Sequence, residues 1–174
     1  MSRKPLTDKL QRFGLQINSQ RPARSHIKFP DRYQLLADTI GGELVAGSAG
    51  CYCLIRTHYP IGFSLGAFIL EADLVEKSVP AAAFSPFEES FELPLSSMVF
   101  VDTETTGLGG SGAVAFLIGA GRVTNHGFEV LQYLIPDYSD EAAMLEDFHQ
   151  NIITGSTIVS FNGASFDLPV LQDR

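Results

Sequence analysis

The sequence predicts an α/β protein built on a mixed sheet, in which an antiparallel meander of three strands is followed by a parallel strand. Short apolar segments rich in β-branched and aromatic residues recur after residue 97, with glycine-containing turns between them. After Pro136 the spacing of the apolar residues changes from two to about 3.6, which is the spacing of a helix. A strand that follows a helical crossover returns parallel to an earlier strand. These observations together predict the mixed sheet.

The elements of this sheet are expected in the order strand, strand, strand, helix, strand, helix. The expected bounds are 98–101, 113–121, 128–135, 139–155, 157–161 and a last helix capped by Ser165. Ser139 is the predicted cap of the first helix, with Asp140 and Glu141 in its first turn, where the helix dipole favours acidic side chains. The apolar face of that helix is expected to comprise Met144, Leu145, Phe148 and Ile152.

The chain is expected to divide into four segments: 1–30 as a basic flexible arm, 31–77 as a small α+β or β-rich lead-in, 78–95 as a linker, and 96–174 as the partial domain that holds the mixed sheet. The lead-in has its own pattern. Its predicted elements are a helix over 33–40 ended by glycine, a strand over 51–58, and a turn and strand near 67–70.

Composition favours a folded protein with no membrane partner. Hydrophobic residues make up 45% of the 174 and aromatic residues 10%, which argues against disorder. No apolar run is long enough for a spanning helix, and the N-terminal sequence lacks the pattern of a secretory signal. The expected location is therefore the cytoplasm.

Charge is distributed unevenly along the chain. Residues 1–40 hold eight Lys or Arg against three Asp or Glu, whereas the remainder holds four against seventeen. A basic arm beside an acidic body fits a protein that contacts a polyanion with its arm and holds cations in its body. The alternative is that the arm is a solvated, disordered tail without a ligand.

The two cysteines are not expected to carry chemistry. Cys51 and Cys53 lie two apart on a predicted strand, too close for a good disulfide. With only His58 nearby they fall short of the four ligands of a zinc site. We expect thiols of a reduced protein, in the core or on the surface.

Three carboxylates are candidates for a metal site. Asp102 and Glu104 leave the end of the first strand, and Asp167 follows the fourth strand. If these two strands are neighbours, their carboxyl ends meet at one sheet edge, where ligands of α/β proteins bind. Carboxylate oxygens suit Mg²⁺ or Mn²⁺, and two such ions about 4 Å apart promote phosphodiester cleavage. The alternatives are a polar turn at Asp102 and Glu104 and a helix-dipole acid at Asp167.

These segments resemble a known family. Phe100-Val-Asp-Thr-Glu-Thr-Thr-Gly107 resembles the first motif of the DEDD 3′–5′ exonucleases, and Ser160-Phe-Asn-Gly-Ala-Ser-Phe-Asp167 resembles their second. The segments 109–117 and 141–145 and the Tyr59-Pro60 step are similar to those of the YprB-like ribonuclease H-like proteins. This narrower resemblance extends over about residues 35–174. The fold it implies is an α/β ribonuclease H-like sheet, incomplete at the C-terminus.

The resemblance also implies roles. Asp102, Glu104 and Asp167 would be the catalytic metal ligands for Mg²⁺ or Mn²⁺. The residues implied to contact substrate are Thr103, Thr105, Thr106, Gly107, Asn162 and Phe166. The implied substrate is the end of a single-stranded nucleic acid, DNA or RNA. For Phe166, packing under the sheet is an equally good interpretation.

One part of the exonuclease pattern is missing. The third motif, which supplies a fourth carboxylate and a general base, has no counterpart before Arg174. We therefore expect either a fragment of a longer protein or a chain without activity, and favour the fragment. Two other hypotheses remain: a non-catalytic nucleic-acid-binding module on the same scaffold, and an interaction protein whose carboxylates are vestigial.

Overall fold

The computed structural model describes residues 29–84, 91–107, 112–161, 163 and 167–172. The elements in chain order are α1 Asp31–Ile40, β1 Glu43–Ala46, β2 Cys51–Pro60, β3 Ser64–Leu65, β4 Phe68–Ile69, β5 Ser78–Pro80, β6 Glu92–Pro94, β7 Met98–Thr105, β8 Ala115–Thr124, β9 Gly127–Leu134, α2 Glu141–Phe148, β10 Thr157–Val159 and α3 Asp167–Gln172. Within these ranges no helix has the length and apolar character needed to cross a bilayer.

A six-stranded sheet in the order β1-β2-β9-β8-β7-β10 forms the centre of the molecule. The strands β7, β8 and β9 are an antiparallel meander, and β10 pairs with β7 in parallel, with Thr157 opposite Met98. This is the predicted mixed sheet, and that prediction is confirmed. It brings the end of β7 and the chain that follows β10 to the same edge.

The lead-in belongs to this sheet. β2 pairs antiparallel with β9 from Cys53↔Leu134 to Pro60↔Gly127, and β1 continues the sheet beyond β2. The sequence predicted a strand at β2 but not that it pairs with β9. The predicted linker contains the strands β5 and β6, which pair with each other. Residues 85–90, between these strands, and residues 1–28 of the arm lie outside the described ranges.

The core lies between one face of the sheet and α2. Met144, Phe148 and Ile152 are buried there as predicted, and the Phe148 ring meets the Tyr133 ring edge-on with 5.5 Å between centroids. Leu145, predicted for the same face, is partly buried and packs against this core. An aromatic pair in this geometry adds to the stability that burial already provides.

The start of α2 differs from the prediction. Ser139 lies inside a 3₁₀ turn, Tyr138–Asp140, that precedes the helix, and α2 begins after Asp140 without a side-chain cap. Asp137 caps the turn: its carboxylate accepts hydrogen bonds from the Ser139 backbone N–H at 3.0 Å and hydroxyl at 2.8 Å. Asp140 and Glu141 are buried and accept hydrogen bonds from the backbone N–H groups of Cys51 at 3.0 Å and Ala115 at 2.9 Å. These two acids therefore anchor strand ends of the sheet, in addition to any favourable effect on the helix dipole.

Cys51 and Cys53 are free thiols in the core. Burial, and then the nearby Asp140 carboxylate, raise the pKa of Cys51 to about 12, and burial also raises the pKa of Cys53. Because the thiolate is the reactive form, both thiols are poor nucleophiles at neutral pH. The expectation that the cysteines carry no chemistry fits this environment.

Candidate functional site

Asp102 and Glu104 lie on the exposed face of β7. The strand runs through both residues to Thr105, four residues beyond its predicted end. Because side chains alternate along a strand, Asp102 and Glu104 share one face while Val101 and Thr103 point to the other. Burial follows this alternation: the two acids are exposed, and Val101 and Thr103 are 3% and 6% exposed.

Asp167 reaches the site from the opposite side. It is the first residue of α3 and is only 4% exposed. One of its carboxylate oxygens, Oδ1, accepts a hydrogen bond from the hydroxyl of Thr103, which lies between Asp102 and Glu104 in the chain. The structure thus brings Asp167 to the same segment of β7 as the other two acids, on the buried face of the strand.

The three carboxylates do not form one cluster in the structure as described. Among the described residues, no three His, Cys, Asp or Glu side chains are grouped closely enough to hold a metal ion. Asp102 and Glu104 have no ion pair and no side-chain hydrogen bond to another residue of the described ranges. Their oxygens are therefore accessible to a cation, and carboxylate oxygen is the ligand type that Mg²⁺ prefers.

The turn after β7 is held by its own hydroxyl groups. A register shift between Glu104 and Thr105 marks a bulge, and such bulges redirect side chains at the ends of strands. The Thr105 hydroxyl donates to the Gly107 carbonyl at 2.6 Å, and the Thr106 hydroxyl accepts from the Val114 N–H at 3.1 Å. Thr106 and Gly107 are exposed, so this part of the predicted substrate contact is accessible.

The other predicted contacts differ in their placement. Thr103 is buried and bonded to Asp167, which fits a role in positioning that carboxylate better than contact with substrate. Asn162 and Phe166 lie outside the described residues. Sequence reasoning missed Gly119, which pairs with Asp102 across β7 and β8. Its signal was a strand glycine, which often marks a site where another molecule approaches the backbone.

Comparison with known proteins relates this chain to a family model and to a bacterial protein. The family model described as "RNase_H superfamily" matches residues 99–174. The uncharacterized protein YprB of Bacillus subtilis (strain 168) is 33% identical over 126 residues, which cover 71% of this chain and 30% of that protein. The matched segment is thus less than a third of the length of the relative. The mixed sheet described above, with its antiparallel meander and its parallel strand β10, is consistent with a ribonuclease H-like α/β fold.

Proposed function

We propose, from the premise that this chain is a YprB-like member of the RNase H superfamily, that it is a metal-dependent nuclease domain of the 3′–5′ exonuclease type. The proposed substrate is the end of a single-stranded nucleic acid, and the proposed reaction is hydrolysis of its terminal phosphodiester bond. In this proposal Asp102, Glu104 and Asp167 are the metal ligands. The fourth carboxylate and the general base of such a domain have no counterpart in the chain, so its activity as it stands is part of the test.

One observation carries the proposal: two exposed acids without partners among the described residues flank the strand residue that holds Asp167. Exposed acids on a strand gain nothing from burial, and two of them side by side repel each other. A cation that both carboxylates share removes this repulsion. The buried hydrogen bond between Thr103 and Asp167 then ties the start of α3 to the same segment of β7.

Each of these residues would have a separate role in the proposed reaction. Mg²⁺ or Mn²⁺, when bound, supplies Lewis acidity at a phosphoryl oxygen. Asp102 and Glu104 would hold the cation on the exposed face, and the Thr103 hydroxyl would fix the orientation of Asp167. The backbone N–H of Thr106 donates to the Val114 carbonyl at 3.0 Å, so the backbone of the exposed Gly107 would be the part of this turn that approaches a phosphate of the terminal nucleotide.

Metal binding by the chain itself is the first test. We expect Mn²⁺ to raise the unfolding temperature of the chain, because a ligand that binds only the folded state stabilises it. Asp102→Asn with Glu104→Gln should remove most of that rise. Glu43→Gln is a matched control, since Glu43 is an exposed strand acid whose side chain is 61% accessible. An equal rise in all three proteins would contradict the proposed site.

Cleavage is the second part of the same test. A 5′-labelled single strand of DNA or RNA, incubated with the chain and Mg²⁺ or Mn²⁺, should shorten one nucleotide at a time from its 3′ end. The doubly substituted protein should leave the strand intact. If neither metal produces shortening, the chain is not an active nuclease.

A non-catalytic nucleic-acid-binding module is the second candidate. The burial of Asp167, and the absence of a three-ligand group among the described residues, favour it specifically. This candidate predicts that single strands bind without shortening under any metal. It also predicts that Asp102→Asn leaves the affinity unchanged, because no cation then links the carboxylate to the phosphates.

A further inference from the structure

A row of aromatic side chains begins next to Asp102 on the same face of the sheet. Phe100 lies two residues before Asp102 and therefore shares its face. Phe100 and Val130 both pair with Gly121 of β8, so Val130 lies on that face too. Phe128 lies two residues before Val130 on β9 and therefore shares its face. The rings of Phe100 and Phe128 are 6.2 Å apart between centroids.

Glycines keep this part of the face flat. A Cβ at Gly121 would lie 2.6 Å from the nearest Phe128 ring carbon, so the ring lies directly over the backbone of β8. At Gly119, beside Asp102, a Cβ would meet nothing closer than the Asp102 carbonyl oxygen at 3.8 Å. The position between Asp102 and Gln132 is therefore open backbone, accessible to a planar group.

The row continues onto the hairpin of β3 and β4. Tyr59 pairs with Phe128 across β2 and β9, and its ring lies 4.8 Å from the ring of Phe63. A cavity of about 450 Å³ opens here, lined among others by Tyr59, Phe63, Phe68 and Phe128. Phe68 is 82% exposed, although burial of an aromatic ring is strongly favourable.

We propose that these rings are a base-stacking track for the single strand whose end lies at Asp102. The track comprises Phe100, Phe128, Phe63 and Phe68, and its ligand is the unpaired bases of DNA or RNA. The proposal rests on the proposed function. It extends that function from the terminal nucleotide to the nucleotides behind it.

Two features favour nucleic-acid bases over a protein partner. The track is continuous with the carboxylates: the backbone of Gly119 is open beside Asp102, and the Phe128 ring covers Gly121 beside Phe100. The ring of Phe68, at the far end of the track, is also 82% exposed, so a base can reach it from solvent. Aromatic rings stack with any base, because every base has a π-face.

The experiment compares two oligomers of equal charge. Fluorescence anisotropy, with EDTA present to prevent cleavage, measures binding of the 174-residue chain to labelled oligothymidylate and to an abasic oligomer of the same length. We expect Phe68→Ala to weaken oligothymidylate binding at least about fivefold, the loss of one stacked base. Binding of the abasic oligomer should not change.

Two further variants separate the ring from its apolar character. Phe68→Leu keeps an apolar side chain without a π-face, so it should lose as much affinity as Phe68→Ala. Leu35→Ala, at another residue that is 66% exposed, should bind as the unchanged chain does. If Phe68→Leu binds oligothymidylate as tightly as the unchanged chain does, the contact depends on an apolar side chain and not on stacking, and the track is refuted.

The track and the nuclease can fail separately. Unchanged oligothymidylate binding by Phe68→Ala overturns the track, whatever the cleavage assay shows. Ring-dependent binding by a chain that never shortens a strand keeps the track and rejects the nuclease. Dissociation of a self-associated chain by Phe68→Ala, without an effect on oligomer binding, would assign the face to contact between copies and overturn the track.

Discussion

The hydroxyl of Thr103 is the only link described between β7 and the carboxylate of Asp167. Both residues are buried, so neither polar group has ready access to water. A buried acceptor that loses its donor keeps the cost of its desolvation. This single contact therefore affects both the stability of the fold and the orientation of a candidate ligand.

Thr103→Val should destabilise the protein by about 1–3 kcal/mol, because it keeps the shape of the side chain and removes the donor. Urea unfolding measures this difference. Thr103→Ser is the control: it keeps the hydroxyl and loses one methyl group, for about 0.8 kcal/mol. If the serine variant is the less stable of the two, the hydrogen bond does not contribute as described.

At the scale of elements, the pairing of β2 with β9 depends on Gly127. Its φ of 141° is unfavourable for other residues, and an added Cβ would press on the carbonyl oxygen of Tyr59 and lie 3.0 Å from the backbone of Pro60. Gly155 offers a comparison. Its φ is 81°, but an added Cβ there would meet nothing within 4 Å.

Gly127→Ala should therefore destabilise the protein more than Gly155→Ala. The change at Gly155 should cost about 1–2 kcal/mol, which is the strain of a left-handed conformation alone. At Gly127 the collision with β2 adds to the strain and separates the lead-in strand from the sheet. Thermal unfolding of the two variants provides the comparison, and equal losses would mean that β2 shifts freely to accommodate the methyl group.

The strands and helices of the sheet were predictable because their signals are local. The apolar alternation of β7 to β9 and the helical spacing around Met144 and Phe148 each involve residues that are close together in the sequence. The pairing of β2 with β9 was not predictable in this way. It joins residues more than sixty positions apart, and a single sequence gives no direct signal for such a contact.

In the candidate site, too, local features were predictable and long-range contacts were not. The shared face of Asp102 and Glu104 follows from a spacing of two on a strand. The burial of Asp167 and its bond to Thr103 depend on how the start of α3 packs against β7, which no local spacing specifies. The aromatic track was missed for the same reason, because Phe63, Phe100 and Phe128 come from three separate parts of the chain.

On the scale of the whole molecule, charge and aromatic surface are two different means of binding a nucleic acid. The basic residues concentrate in 1–40, whereas the rest of the chain is strongly acidic. Contacts to phosphates weaken as salt rises, since released counterions drive them, whereas stacked bases depend on salt far less. The two contributions can therefore be separated by a salt titration.

Arg21→Gln with Arg24→Gln should make the binding of single strands less dependent on salt. For single strands each lost phosphate contact reduces the slope of log K against log salt by about 0.7. The matched control is Arg56→Gln with Lys77→Gln, which removes the same charge from exposed ion pairs with Glu43 and Glu71. Anisotropy at several salt concentrations gives both slopes. If the control lowers the slope as much as the arm variant does, net charge and not the arm determines binding, and the arm is then a solvated tail.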